Sequence, residues 1–287
     1  MNPNKIVIGT ANFGKNYGLS QTKINETEFE KIITKCVEYN INNFDIGEDY
    51  KVPKKYINKI KNKKIILKFD FSKFFYQKTN SQKFKRKIID FLMKNNLKKI
   101  DTFLIHNQND LLSKNGKSIY DAILSLKKQK ILSNIGVSFY DASVLKKILK
   151  IYKIDTIQIP INLFNNDFTK PSLIKLYKKF NLKVQARSIF LQGLLLNLHK
   201  NNYIIKFKKF KNILNYLMAL QIRNKISSLE HALSYICKKK FISSILVGVD
   251  NERHLLQIMN TKIRKIPKFS KSIPKELKDP RKWSVKA

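Results

Sequence analysis

Eight short apolar runs alternate with amphipathic helical stretches along 287 residues, and no linker or shift in composition interrupts them. That alternation, with runs built of Ile, Val, Leu and Phe, predicts the α/β class and a parallel sheet closed into a (β/α)8 TIM barrel, a fold that usually takes about 250 residues. The 43% apolar content suffices for one large core or two modest ones, and the absence of a linker favours one barrel domain over residues 1–287.

The first strand is KIVIG (5–9). The stretch TEFEKIITKCVEYN follows, opening on a capping box of Thr27 and Glu30 and setting Phe29, Ile32, Ile33, Cys36 and Val37 at helical spacing. NNFDIG is the second strand and KIILKF (64–69) the third; the next helix buries Phe84, Ile88, Ile89 and Leu92. DTFLIH (101–106) is the fourth strand, with a helix on Ile119, Ala122, Ile123 and Leu126 behind it. SNIGVS (133–138) is the fifth, with a helix on Val144, Leu145, Ile148 and Leu149. DTIQI (155–159), KVQARS (183–188) and SSILVG (243–248) complete the eight, each with a helix after it, at 173–180, 229–236 and 255–259. An extra helical segment, FKKFKNILNYLMAL, fills the long gap at 189–226. The tail, 261–287, carries three prolines and reads as an irregular loop crossing the barrel.

Composition narrows the function classes. The start offers only a four-residue apolar run before glycine, so no secretory signal is expected. No stretch approaches the roughly 20 apolar residues that span a bilayer, so a soluble cytoplasmic protein without a membrane partner is expected. Cys36 and Cys237 both fall in helical patterns and read as packed thiols in a reducing compartment. A formal net charge of +38 invites a nucleic-acid reading. However, only six of the 58 basic residues are arginine and the lysines are spread along the whole chain, so a dedicated nucleic-acid partner is not expected. The charge would still attract an anionic cofactor.

In such barrels the active site lies at the carboxyl ends of the strands. There the second strand ends on Asp45, the third reaches Lys68, the fourth His106 and the fifth Ser138; the sixth carries Gln158 and the seventh ends on Arg187 and Ser188. An acid, a lysine, a histidine and the following Tyr50 at one rim form a chemical set. A lysine ammonium lowers a phenol's pKa by stabilising phenolate, and a nearby carboxylate keeps that lysine charged in an apolar setting. Tyr50 then serves as general acid, and a neutral His106 orients a carbonyl oxygen.

These stretches resemble the aldo-keto reductase family over about residues 5 to 260. IVIGTANFG resembles its first strand and glycine-rich turn, FDIGEDY its Asp-x-(small)-x-x-Tyr motif, ILKF its lysine strand and FLIHNQND its histidine segment. IGVSFY, IQIPINLF, ARSIFLQGLLL and ILVGVDNERHLLQI are similar to its later cofactor-side motifs, in the same order. The resemblance implies an NAD(P)H-dependent enzyme reducing an aldehyde or ketone, with Asp45, Tyr50, Lys68 and His106 as catalytic tetrad and NADPH, or alternatively NADH, as cofactor. It implies Gly9 and Thr10 at the cofactor turn, Ser138 and Gln158 on the nicotinamide carboxamide, and Ser188, Leu191, Gln192 and Gly193 along the pyrophosphate. The adenosine end would fall on residues from Gly248 to His254, with Arg253 nearest to a 2′-phosphate. Arg187 stands where the family commonly stacks an aromatic ring on the nicotinamide, and its charge is expected to disfavour the oxidised, cationic ring. Lys51 follows Tyr50 where a glycine is common, so a reshaped loop is expected there. Asn12, Phe13, Asn107 and Phe190 are expected to shape the substrate pocket, and the Asn–Phe pair suits a hydroxylated, sugar-like carbonyl compound.

Other signals give less. GTANFGKN falls short of a P-loop, because Asn16 stands where a metal-binding hydroxyl is required. No G-x-G-x-x-G occurs, and His199, His231 and His254 lack metal-ligand spacing, so no metal is expected. Trp283 reads as a substrate contact or a packing anchor. Two other classes stay open: a cofactor-binding regulatory protein on the same barrel, and a basic polyanion-binding protein.

Overall fold

The computed structural model describes residues 1–72 and 80–283. Eight parallel strands close in sequence order: β1 (Ile6–Gly9), β2 (Asn43–Gly47), β3 (Lys64–Phe69), β4 (Ile100–Ile105), β5 (Leu132–Ser138), β6 (Thr156–Pro160), β7 (Lys183–Arg187) and β8 (Ser244–Gly248), which pairs back onto β1. This is the expected (β/α)8 TIM barrel, with strand ends displaced by a residue in places. Its outer helices are α1 (Glu26–Glu38), α2 (Lys54–Ile60), α3 (Ser81–Lys94), α4 (Gly116–Lys128), α5 (Leu145–Ile151), α6 (Pro171–Lys179), α7 (Ser228–Cys237) and α8 (Glu252–Asn260).

The strands divide the core in two. A strand turns alternate side chains to opposite faces. On β3, Ile65, Leu67 and Phe69 therefore join the main core between sheet and helices, while Ile66 joins Val7 and Leu104 in a small separate cluster. That second cluster plugs the lumen below the carboxyl rim. Gly136 makes room for it, since a Cβ there would come within 2.5 Å of Leu104 Cδ2 and 2.9 Å of the Thr156 carbonyl oxygen.

Helix ends obey local chemistry with one correction. The Thr27–Glu30 capping box does not cap α1; Asn25 does, accepting the Glu28 N–H at 2.9 Å. The chain is extended at Asn25 and helical from Glu26, which leaves Thr27 inside the first turn. On the same helix Phe29, Ile32 and Cys36 are buried, Ile33 is half-buried, and Val37 is 56% exposed, because the inward stripe is narrower than the apolar spacing suggests. A reciprocal capping box does form on α7, between Ser227 and Glu230.

The long gap after β7 holds a tight turn over Leu191–Leu196 and helices Asn201–Lys206 and Lys211–Arg223. Leu191, Leu194, Leu195, Leu214 and Leu217 form a second apolar cluster there, and the tail docks on it through Leu277. The tail is not wholly irregular, since Lys275–Lys278 is a short helix. Trp283 anchors it edge-on against Phe207, 4.7 Å between ring centroids. The last four residues of the tail lie outside the described residues. Among the described residues no helix is long and apolar enough to cross a membrane.

Candidate active site

The strand phase that sends Ile, Leu and Phe outward on β3 sends Lys68 inward, and the register sets Gly47 beside it and Gly9 beside Asp45. Lys68 Nζ donates to Asp45 Oδ1 at 3.0 Å and to Tyr50 Oη at 3.2 Å. The lysine and aspartate side chains are only 4% and 1% exposed, so this is a buried pair. Gln158 reaches across the lumen from β6 and donates to Asp45 Oδ2 at 2.9 Å, and it also bonds Gln185. Both carboxylate oxygens are therefore held, as a buried charge requires. Because the phenol oxygen accepts from the ammonium, its own O–H remains able to donate into the cleft.

Tyr50 comes from a single 3-10 turn, Glu48–Tyr50, after β2. Gly47 is the residue that allows it to lie back on the strand end: a Cβ at 47 would stand 2.7 Å from the Tyr50 ring. Lys51 then takes φ +56, the left-handed conformation that glycine adopts without cost, which is how the loop proceeds without the usual glycine. His106 stands at the end of β4, its ring perpendicular to Tyr50 with centroids 6.5 Å apart. Its Nδ1 is buried, with no hydrogen-bond partner among the described residues, 4.0 Å from Asp49 Oδ1.

Burial corrects one expectation. The Tyr50 phenol is not acidified in the free chain; burial, and next the Asp45 carboxylate, push its pKa well above the ordinary value. Desolvation disfavours phenolate more than one ammonium, itself paired to a carboxylate, favours it. Burial, then the Lys68 charge, hold His106 below its ordinary pKa, so its ring is neutral at pH 7.

These groups line a cleft of about 240 Å³ at the rim. Of the expected cofactor residues, Gly9, Ser138, Arg187, Ser188, Gln192, Gly193 and Gly248 border it, as do Asn12 and Phe190 of the expected pocket. Others do not. Gln158 lies beneath, spent on Asp45. Thr10 is buried with its hydroxyl donated to the Asp45 carbonyl at 2.9 Å. Leu191 packs in the second apolar cluster, because left-handed backbone at 191–193 turns its side chain inward. Phe13 packs edge-on against Phe29, since the one-turn helix Ala11–Gly14 aims Asn12 at the rim and the next residue into the core. Asn107 stays in its own turn, accepting the Asn109 N–H at 3.0 Å. Arg253 is exposed on α8 and does not border the cleft, although Asp250 and His254 of the same expected stretch do. Tyr17 and Tyr140 also border the cleft, unexpectedly; both lie in loops, where no periodicity marks direction.

The cleft suits a dinucleotide. Among the described residues, Ser138 Oγ and Arg187 Nε at its wall are buried with no hydrogen-bond partner. Gly248 faces open space where any side chain would intrude, and left-handed backbone at Ser188 and at 191–193 bares main-chain groups beside it. Arg187 packs its guanidinium 4.2 Å from the centroid of the Tyr140 ring.

Comparison with known proteins agrees with this geometry. Residues 5–274 match the model of the aldo/keto reductase family. The fold is similar to that of the glycerol dehydrogenase AKR11B4 from Gluconobacter oxydans, with a TM-score of 0.66 and 16% identity over 96% of this chain and 89% of that one. It is similar also to the aldo-keto reductase AKR11C1 from Bacillus halodurans in its holo form, with a TM-score of 0.66 and 17% identity over 85% of this chain and 83% of that one. No curated protein matches the chain.

Proposed function

The chain belongs to the aldo/keto reductase family, and from that premise we propose that it reduces an aldehyde or ketone to an alcohol with NADPH, or with NADH, at the rim bounded by Tyr50 and His106. What supports this reading above all is the chain Asp45–Lys68–Tyr50, with contacts of 3.0 and 3.2 Å at the foot of the cleft.

The bound dinucleotide would supply hydride to the carbonyl carbon. Ser138, Arg187, Ser188, Gln192, Gly193 and Gly248 would hold it. His106, neutral, fixes the carbonyl oxygen by a hydrogen bond. Tyr50 gives its proton to that oxygen as negative charge develops there. A phenol of raised pKa still suits this role. It is fully protonated at neutral pH, and an alkoxide is a stronger base than even a disfavoured phenolate. Lys68 stabilises the phenolate left behind, and Asp45, held by Gln158, keeps the ammonium charged. The protein would work as a cytoplasmic enzyme on small molecules.

The test is oxidation of NADPH and NADH against aldoses, keto sugars and aromatic aldehydes. Tyr50→Phe is expected to lower turnover by roughly 10²–10⁴-fold, the usual worth of a positioned acid, while cofactor binding followed by fluorescence persists. Undiminished turnover in Tyr50→Phe would remove the proton donor from this scheme.

A further inference from the structure

The cleft does not end at the groups around Tyr50. It continues past Gly248 to Asp250 and His254, with Asn197 and Tyr203 from the segment after β7. A dinucleotide with its nicotinamide beside Tyr50 and its backbone along Ser188, Gly193 and Gly248 would lay its adenosine there. NADH and NADPH differ at that end by one group, a phosphate on the 2′ oxygen of the ribose, which is a dianion or nearly so at neutral pH. The charge of the wall therefore decides which nucleotide fits.

The wall offers an acid. Asp250 Oδ1 accepts from Asn12 Nδ2 at 3.1 Å and Oδ2 from Ser20 Oγ at 3.4 Å, both neutral donors. Asn12 is buried and donates also to the Val249 carbonyl at 2.8 Å, so it holds the carboxylate in place. Among the described residues no lysine or arginine comes within the 4.0 Å of an ion pair with Asp250. The His254 ring does not offset it either, since its Nδ1 accepts the Asp250 N–H at 3.4 Å, which an imidazolium cannot do. The charge is felt across the cleft: burial first, and Asp250 next, push the Tyr203 phenol above its ordinary pKa. The lysine and arginine that border the cleft are Lys68 and Arg187. Lys68 is spent on Asp45 at 3.0 Å. Arg187 leans away from β8, its Nη2 donating to the Phe139 carbonyl after β5 at 3.0 Å.

We infer that Asp250 selects NADH over NADPH, accepting hydrogen bonds from the free ribose hydroxyls of the one and repelling the 2′-phosphate of the other. The inference rests on the reductase reading and names which of its two cofactors the cleft is built to hold. The formal charge of +38 draws both nucleotides to the protein. The choice between them is local, made by one fixed acid in a wall without a spare cation.

The experiment titrates the protein with NADH and with NADPH by nucleotide fluorescence, at about 0.15 M salt to screen the diffuse charge. NADH is expected to bind about tenfold more tightly or more. In the wild type, adenosine 5′-monophosphate should also displace bound NADH at lower concentration than adenosine 2′,5′-bisphosphate. In Asp250→Asn and in Asp250→Ser the Kd of NADPH should fall and that of NADH rise, so that their ratio shrinks toward one. Equal or tighter binding of NADPH by the wild type, or a preference for NADH unchanged in both variants, overturns the inference and leaves the reductase reading standing. Binding of neither nucleotide overturns both.

Discussion

Tyr50 sits between a cation and an anion in a buried place, and the balance among these three influences sets its chemistry. The ammonium of Lys68 is 3.2 Å from its oxygen, yet burial and Asp45 together push the phenol upward. In the free protein, an ultraviolet difference titration of wild type against Tyr50→Phe should therefore show no phenolate from this residue up to about pH 10, the usual midpoint for tyrosine. Asp45→Asn removes the second cause, and wherever Lys68 still holds its proton without that carboxylate the phenol should titrate at a lower pH than in wild type. A wild-type phenolate appearing well below pH 10 would mean that the ammonium outweighs burial. The sign for stability follows: a folded-state pKa raised above the unfolded one gives a contribution fully present below about pH 10 and lost as the pH rises through the folded value. The residues of this constellation are readable in the chain because each polar group finishes a run of Ile, Leu, Val or Phe. The direction of the titration is not, since it depends on how much solvent the fold removes.

Among the elements, the turn Glu48–Tyr50 is tightly constrained by its neighbour Gly47. Gly47 has φ −117 and ψ 144, ordinary extended backbone that any residue adopts, so the glycine serves space and not conformation. An alanine Cβ there would lie 2.7 Å from two Tyr50 ring carbons. Gly47→Ala must displace the phenol from Lys68, and kcat/KM should fall roughly 10²-fold, as misplacements of about 1 Å do. The thermal stability loss should stay within about 1–3 kcal/mol, the range for overpacking. Full activity in Gly47→Ala would show that the turn yields without moving the hydroxyl. The sequence displays the small residue in its motif but not the ring that demands it. Strands are legible to within a residue because each is a short run rich in Ile, Leu, Val or Phe bounded by polar residues. The cap of α1 is ambiguous in the sequence because two cap-forming residues, Asn25 and Thr27, stand two positions apart, and only the backbone decides between them. Loop side chains such as Tyr17 and Tyr140 carry no periodic mark, and Phe13 leaves the expected pocket because a one-turn helix redirects neighbouring residues to opposite sides.

At the scale of the whole molecule, charge is the dominant feature. With 58 basic against 20 acidic side chains, at least 38 cations lack an acid of their own (58 − 20 = 38). The pairs that form are largely at the surface, such as Lys117–Asp121 and Lys209–Glu276, and surface pairs contribute little. Self-repulsion among unpaired lysines should then exceed what salt costs those pairs. The Debye length shrinks from about 30 Å at 0.01 M salt to about 8 Å at 0.15 M, so added sodium chloride should silence repulsion across the barrel. The thermal midpoint is expected to rise over that interval, where a protein stabilised by its ion pairs would show a fall. A midpoint that drops with salt would instead place the balance of charge in the pairs that the fold has built.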